Sequence, residues 1–145
     1  MYKMTFETTS VARGGIREQE DLTRAFGLPY MRHDSVPFWA GSDIELPGRH
    51  ISVKSFHFTL MASSLCEGKT TLPEIWEVYA RRTASTEWAY VIGGTAYFMN
   101  KDEFKAFIFQ FTTIERDSVK GGGGNFKVRG KRNEKAMVKW FESLM

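Results

Sequence analysis

The stretch from Gly41 to Ser55, GSDIELPGRHISVKS, decides how the rest of this chain is read. Asp43, Ile44, Glu45 and Leu46 alternate polar and apolar, Pro47-Gly48 supplies a turn, and Ile51 to Lys54 alternates again. That pattern predicts two short antiparallel strands, spanning Phe38 to Leu46 and His50 to Ser55. An aspartate near the end of one strand and a lysine on the next can face one spot. A carboxylate and an ammonium held together suit a divalent cation and a phosphate, with the lysine handling an attacking water. The plainer alternative is a hairpin with charges on its wet face.

Working outward, the residues before the hairpin predict a helix from Ile16 to Phe26, ended by Gly27 and Pro29. Glu18, Leu22 and Phe26 fall at i, i+4 and i+8, so Glu18 shares a face with apolar residues, while Glu20 lies nearer Ile16 and Thr23. Tyr2 to Thr9 reads as an extended lead-in and Tyr30 to Pro37 as a loop. After the hairpin, Phe56 to Cys66 is open between a strand extension and a helical turn. A second helix starts at Thr71, with Pro73 and Glu74 in its first turn and Arg81 and Arg82 at its end. Trp88 to Ile92, Gly93-Gly94 and Thr95 to Met99 form a second hairpin. Asn100 caps a third helix, NKDEFKAFIFQF, with an apolar face of Phe104, Phe107, Ile108 and Phe111. Phe126 to Arg129 alternates as a strand with both cations on one side. Asn133 to Leu144 closes the chain as a helix packed through Met137, Trp140, Phe141 and Leu144.

This order, α-β-β-α-β-β-α-β-α, predicts a mixed α/β chain in which a central mixed sheet is flanked by helices. The 145 residues, 42% apolar and 26% charged, fit one globular domain spanning 1–145. A single cysteine, Cys66, excludes an internal disulfide framework and a Cys-rich zinc site. No apolar run is long enough for a membrane span, and the N-terminal residues lack the apolar core of a secretory signal. The expectation is an intracellular, cytoplasmic protein with no membrane partner. The four tryptophans, Met61 and Met99 are read as core, and His33, His50 and His57 do not form a metal site.

Net charge is +3, but it is unevenly placed. From Lys120 to Lys139 there are seven Lys or Arg residues against the single acid Glu134. Such a patch is the electrostatic footprint of a phosphate-backbone binder, with a solvated tail as the alternative. The four glycines at 121–124 are not a P-loop, since no Gly-Lys-Ser/Thr follows. They read as a flexible loop beside a groove or as a plain linker.

An acid-bearing helix, a strand ending in Asp43, a strand carrying Ser52-Val53-Lys54, then a helix and further strands resemble the PD-(D/E)XK nuclease superfamily. The likeness runs from about Gly14 to the C-terminus. It implies a restriction-endonuclease-like fold and a Mg2+-dependent DNA endonuclease, with Mn2+ able to substitute. By that resemblance Asp43 is the first metal ligand, Lys54 the lysine that orients or activates water, and Glu18 (or Glu20) the acid of the first helix. The family's second acid belongs at Ser52, which departs from the pattern. Restriction enzymes with S/T-x-K followed by a displaced glutamate suggest Glu67 in its place. Glu45, on the same side of the strand as Asp43, is the local alternative, and Glu74 and Glu77 are more distant ones. The resemblance further implies a homodimer that contacts the DNA backbone through Lys120, Lys127, Arg129, Lys131 and Arg132. It suggests structure-selective, junction-resolvase-like cleavage in a phage or mobile-element setting. With no acid replacing Ser52, the same fold would serve a non-catalytic nucleic-acid-binding or inhibitor protein.

Overall fold

Alternation at 87–92 and 95–99 around Gly93-Gly94 builds the hairpin at the centre of the structure, a computed structural model describing residues 1–13, 15–30, 42–116 and 126–145. Strands β5 (Glu87–Ile92) and β6 (Thr95–Met99) pair antiparallel from Trp88↔Met99 to Ile92↔Thr95. Gly93 takes φ +59°, a left-handed turn conformation that glycine adopts without strain. β1 (Tyr2–Thr5) adds antiparallel to β6. On the other side, β3 (Arg49–Lys54) runs parallel to β5, from Ile51↔Glu87 to Lys54↔Tyr90. β2 (Ile44–Leu46) completes the sheet antiparallel to β3, giving the order β1-β6-β5-β3-β2.

A parallel pair needs a long crossover, and residues 55–86 provide it. They hold β4 (Thr59–Ala62), a 3-10 turn over Ser63–Leu65 and helix α2 (Leu72–Arg82). β4 leaves the first sheet and joins β7 (Thr112–Arg116) and β8 (Phe126–Gly130) in a second, antiparallel one of order β4-β8-β7. With α1 (Gly15–Ala25), α3 (Lys101–Phe111) and α4 (Glu134–Ser143), the described residues form a mixed α/β fold of four helices and two sheets.

The two faces of the large sheet carry different cores. Ala89 and Val91 of β5 point to one face, where they join Leu22 of α1, Ile44, Ile51, Val53, Ala96 and Phe98. Trp88 and Tyr90 point to the other, into an aromatic core shared with α2, α3, α4 and the second sheet. Trp88 stacks on Phe104 with centroids 4.7 Å apart, and Tyr97 stacks on Phe141 at 4.5 Å. Such pairs add about 0.5–1.5 kcal/mol each beyond the area they bury. The Trp88 indole N–H is satisfied by the Tyr79 hydroxyl at 2.8 Å.

The helices and the later strands are present where the sequence placed them. β2, however, begins at Ile44, so Asp43 precedes the strand instead of ending it. The expected single central sheet is two, with the strand expected at Phe126–Arg129 in the second. Three strands are added. The Phe56–Cys66 ambiguity resolves into β4 plus the 3-10 turn, Tyr2–Thr5 is a strand of the main sheet, and Thr112–Arg116 is a strand following α3. The last carries no breaker between helix and strand, and Thr112 ends α3 by taking extended backbone angles. Leu144, expected in the core, is 44% exposed because the helix ends at Ser143. Trp39, the start of the strand expected from Phe38, and the glycine run lie outside the described residues. No described helix is long and apolar enough to cross a membrane.

Close approach fixes one joint of the aromatic core. The Gly130 N–H donates to the Phe58 carbonyl at 2.8 Å, and a Cβ on Gly130 would lie 2.4 Å from the Phe58 ring. Phe58 is itself packed on Tyr90 and Phe107 and has little room to yield. Gly130→Ala is therefore expected to destabilise the fold by about 1–3 kcal/mol, read as a lowered midpoint in urea unfolding at unchanged slope. A variant as stable as the parent would show that this joint is loose.

Candidate functional site

Alternation along β3 sends Ile51 and Val53 into the α1-side core and leaves Ser52 and Lys54 on the opposite face. Ser52 is buried, and its hydroxyl is bonded to that of Ser85 at 2.6 Å. Where an acid was sought, the chain has closed a neutral hydrogen bond between the start of β5 and the middle of β3. Asp43 sits just ahead of β2. Its N–H donates to the Ile51 carbonyl at 2.9 Å, and its Oδ2 accepts from the Val53 N–H at 2.7 Å. The carboxylate is thereby fixed beside the strand that carries Lys54. Lys54 lies in register with Tyr90 on β5, and its ammonium has no hydrogen bond or ion pair among the described residues.

Helix α1 brings the third member. Its first residue, Gly15, lies against Ser55, since a Cβ there would meet the Ser55 hydroxyl at 3.6 Å. Glu18 follows less than one turn later, on the same face as the fully buried Leu22. Its Oε2 is buried without a hydrogen-bond partner. An unsatisfied buried carboxylate oxygen costs on the order of 1–3 kcal/mol or more, so the position invites a cation. Glu18 also acts on Tyr90. Burial chiefly, then the charges of Glu134 and Glu18, push the Tyr90 phenol far above its usual range. Glu134, Met137 and Phe141 fall at i, i+3 and i+7 on the core face of α4. Two helices on opposite faces of the sheet thus deliver glutamates toward the Lys54–Tyr90 end.

The other acids have different partners. Glu20 accepts from the Ser10 hydroxyl at 2.6 Å and pairs with Arg24 at 2.6 Å. Glu45 lies opposite His50, pairs with its Nδ1 and accepts from the Ser42 hydroxyl. The Ser42 bond first, aided by His50, holds its carboxyl below the usual range. Glu67 occupies a left-handed backbone position, φ +52°, and pairs with Arg81. Arg81 lies at the end of α2 that leads into β5, the Arg49–His50 end of β3, about 13 Å along the strand from Lys54. Glu67 does not fold back over the hairpin because β4 is drawn into the second sheet by β8. Glu74 and Glu77 line the same surface as Glu67. Among the described residues no three His, Cys, Asp or Glu side chains come together as a metal-binding group.

The cations divide by distance. β8 buries Phe126, Val128 and Gly130 and turns Lys127 and Arg129 outward, as alternation predicts. Arg129 lies 3.8 Å from Glu115. Because Gly130 is joined to Phe58, Arg132 is brought over Phe56, two residues past Lys54, while the Lys131 N–H donates to the Phe111 carbonyl at 2.7 Å. Lys120 lies outside the described residues. Sequence reading missed two residues. Asp21 is buried and accepts the Thr9 and Ser10 N–H groups at 3.1 and 2.8 Å, tying down the N-terminal segment. Glu134 was counted only as the acid of a basic tail, although its spacing to Met137 and Phe141 was legible.

Comparison with protein-family models, with curated proteins and with solved structures gave no match. The reading of the site therefore rests on its own geometry.

The shared action of Glu18 and Glu134 on Tyr90 is measurable. A raised phenol pKa means that neutral Tyr90 contributes stability fully present below about pH 10, lost as pH rises through the raised value. In ultraviolet titration, Tyr90→Phe should remove the last-ionising tyrosine. Glu18→Gln and Glu134→Gln should each shift that ionisation to lower pH, because an anion opposing the phenolate is gone. An unmoved curve in both variants would separate these acids from Tyr90.

Proposed function

We propose that this chain is a Mg2+-dependent DNA endonuclease of restriction-endonuclease-like fold, acting as a homodimer on structured or branched DNA. The observation that best supports this reading is at the end of β3. There the Asp43 carboxylate is fixed on the Val53 N–H next to Lys54, a lysine without a hydrogen bond or ion pair among the described residues. Helix α1, whose first residue lies against Ser55, carries Glu18 with a buried, unsatisfied oxygen. Asp43 and Glu18 would hold the metal. Mg2+ is commonly bound by one or two carboxylates together with substrate phosphate rather than by an all-protein cage, so the absence of a three-acid group among the described residues is compatible with it. The unsatisfied Glu18 oxygen fits such a cation. When bound, the ion supplies charge neutralisation at the phosphate.

Lys54 has the position to orient a water for in-line attack on phosphorus and to hold charge that develops there. Among the described residues its ammonium is not spent on a carboxylate, which favours its use on substrate. Lys127, Arg129 and Lys131 would bind backbone phosphates and set the duplex in place without reading sequence, with Arg132 contacting the nucleic acid beside them. A phage or mobile-element setting rests on the resemblance alone.

One observation favours a second reading. The Ser52–Ser85 hydrogen bond fills the second acid's place with a neutral pair, as expected of a fold that binds nucleic acid without cutting it. Supercoiled plasmid with Mg2+ or Mn2+ separates the two. The wild type is expected to nick or linearise it, with Lys54→Ala and Asp43→Ala slower by about 100–1,000-fold. Glu18→Gln should be slower by about 10–100-fold, and Glu67→Ala should cut like the wild type. Intact plasmid with every variant, alongside a preserved gel shift, would establish the non-catalytic reading.

A further inference from the structure

Phe56 lies two residues beyond Lys54 and is 39% exposed, a large aromatic ring left at the rim of the candidate site. The Arg132 guanidinium sits over the ring at 4.5 Å, and the His57 ring lies 4.0 Å away, tilted by 60°. His57 takes φ +59°, an uncommon backbone angle for a side-chain-bearing residue. Phe56, Arg132, Asn133, Glu134 and Lys135 line an open groove of about 470 Å3. Arg132 has no carboxylate partner among the described residues, so only the aromatic ring holds its guanidinium.

We infer that this groove is a stacking platform for one unpaired DNA base next to the scissile phosphate, with Phe56 beneath the base and Arg132 closing over it. The inference rests on the nuclease reading for its place in catalysis, but not for its binding chemistry. Every base has a π-face that an exposed aromatic side chain can take, and a guanidinium can cover the other side. Arg132 is long enough to leave the ring and settle on the base. Glu134 in the groove disfavours a phosphate there, so the base enters while the flanking phosphates meet Lys131 and Lys135 at the rim. A base inside a duplex cannot reach this ring without leaving its stack, at a cost of a few kcal/mol. The platform therefore selects DNA that already offers an unpaired nucleotide, such as a flap, a junction or a single strand.

Binding is measured in EDTA, where no cleavage occurs, using fluorescence anisotropy with a single strand, a flap and a blunt duplex. Phe56→Ala should weaken single-strand and flap binding about 5- to 100-fold, leave blunt-duplex binding unchanged and leave the salt dependence of binding unaltered. Phe56→Tyr should restore it. A fluorescent purine analogue at the unpaired position should be quenched by the wild type and not by Phe56→Ala. Equal binding of all three DNAs by wild type and Phe56→Ala, or a loss spread evenly over them, overturns the platform. Cleavage with Mg2+ is scored separately, so an inactive protein that still prefers unpaired DNA through Phe56 overturns the nuclease reading and leaves the platform standing.

Discussion

The parallel pairing of β3 with β5 is the constraint on which the rest of the molecule depends. Four residues of each strand are in register, Ile51 to Lys54 against Glu87 to Tyr90. Parallel neighbours cannot be joined by a tight turn, so residues 55–86 must cross a face of the sheet. That crossing carries α2 and β4 onto the same side and creates a space that Trp88, Tyr90, Phe104, Phe107 and Phe141 fill. It also sets Lys54 beside Tyr90. The Arg49 guanidinium binds both oxygens of Glu87, at 2.6 and 2.9 Å, at the other end of the pair. Hydrogen bonding to Arg49 first of all, then its charge, keeps the Glu87 carboxyl below its usual range.

The two cores differ in kind, and the difference positions the candidate site. On the α1 side most buried contacts are aliphatic or small, through Leu22, Ile44, Ile51, Val53, Ala89, Val91 and Ala96, with Phe98 as the one fully buried ring. On the other side stacked aromatic rings hold α3 and α4 at a distance set by their own thickness. Core-facing side chains at the N-terminal ends of α1 and α4 point toward the same end of β3 and β5. Glu18 and Glu134 occupy those positions. Neither helix is placed there by the acids; the apolar residues one and two turns further along place it.

Local signals made most of the elements legible. The Asn100–Glu103 capping box, seen in sequence as Asn followed by two acids, is present with bonds of 2.8 and 2.9 Å. The Gly93-Gly94 hairpin, α2 with its early proline and the alternation of β8 were read from spacing alone. The strands that escaped are those whose partners are remote. β4 pairs with β8, and β7 follows a helix directly, so neither carries a local mark. The same cause governs the site. Where Asp43, Lys54 and Glu18 sit in the fold was legible because a hairpin and an i, i+4 helix face are local patterns. Glu67 was paired with Lys54 by counting residues, a count that assumed the chain between them stayed over the hairpin. The remote attraction of β8 for β4 took it elsewhere.

A protein with no use for this end of the sheet could have made it neutral. Among the described residues Glu18 keeps a buried oxygen unsatisfied, Lys54 has no carboxylate partner, and Arg132 rests on an exposed ring. Among those residues these charges are not paired with one another, while Glu20, Glu67 and Glu87 elsewhere in the chain all find an arginine. Stability is forgone here and recovered elsewhere, the usual mark of a site shaped for something outside the chain. The occupant that answers both signs at once brings a cation for the acids and an anion for the lysine. Under the proposed function that occupant would be a metal-bound phosphate in a nucleic-acid strand, with its base on the ring beside it.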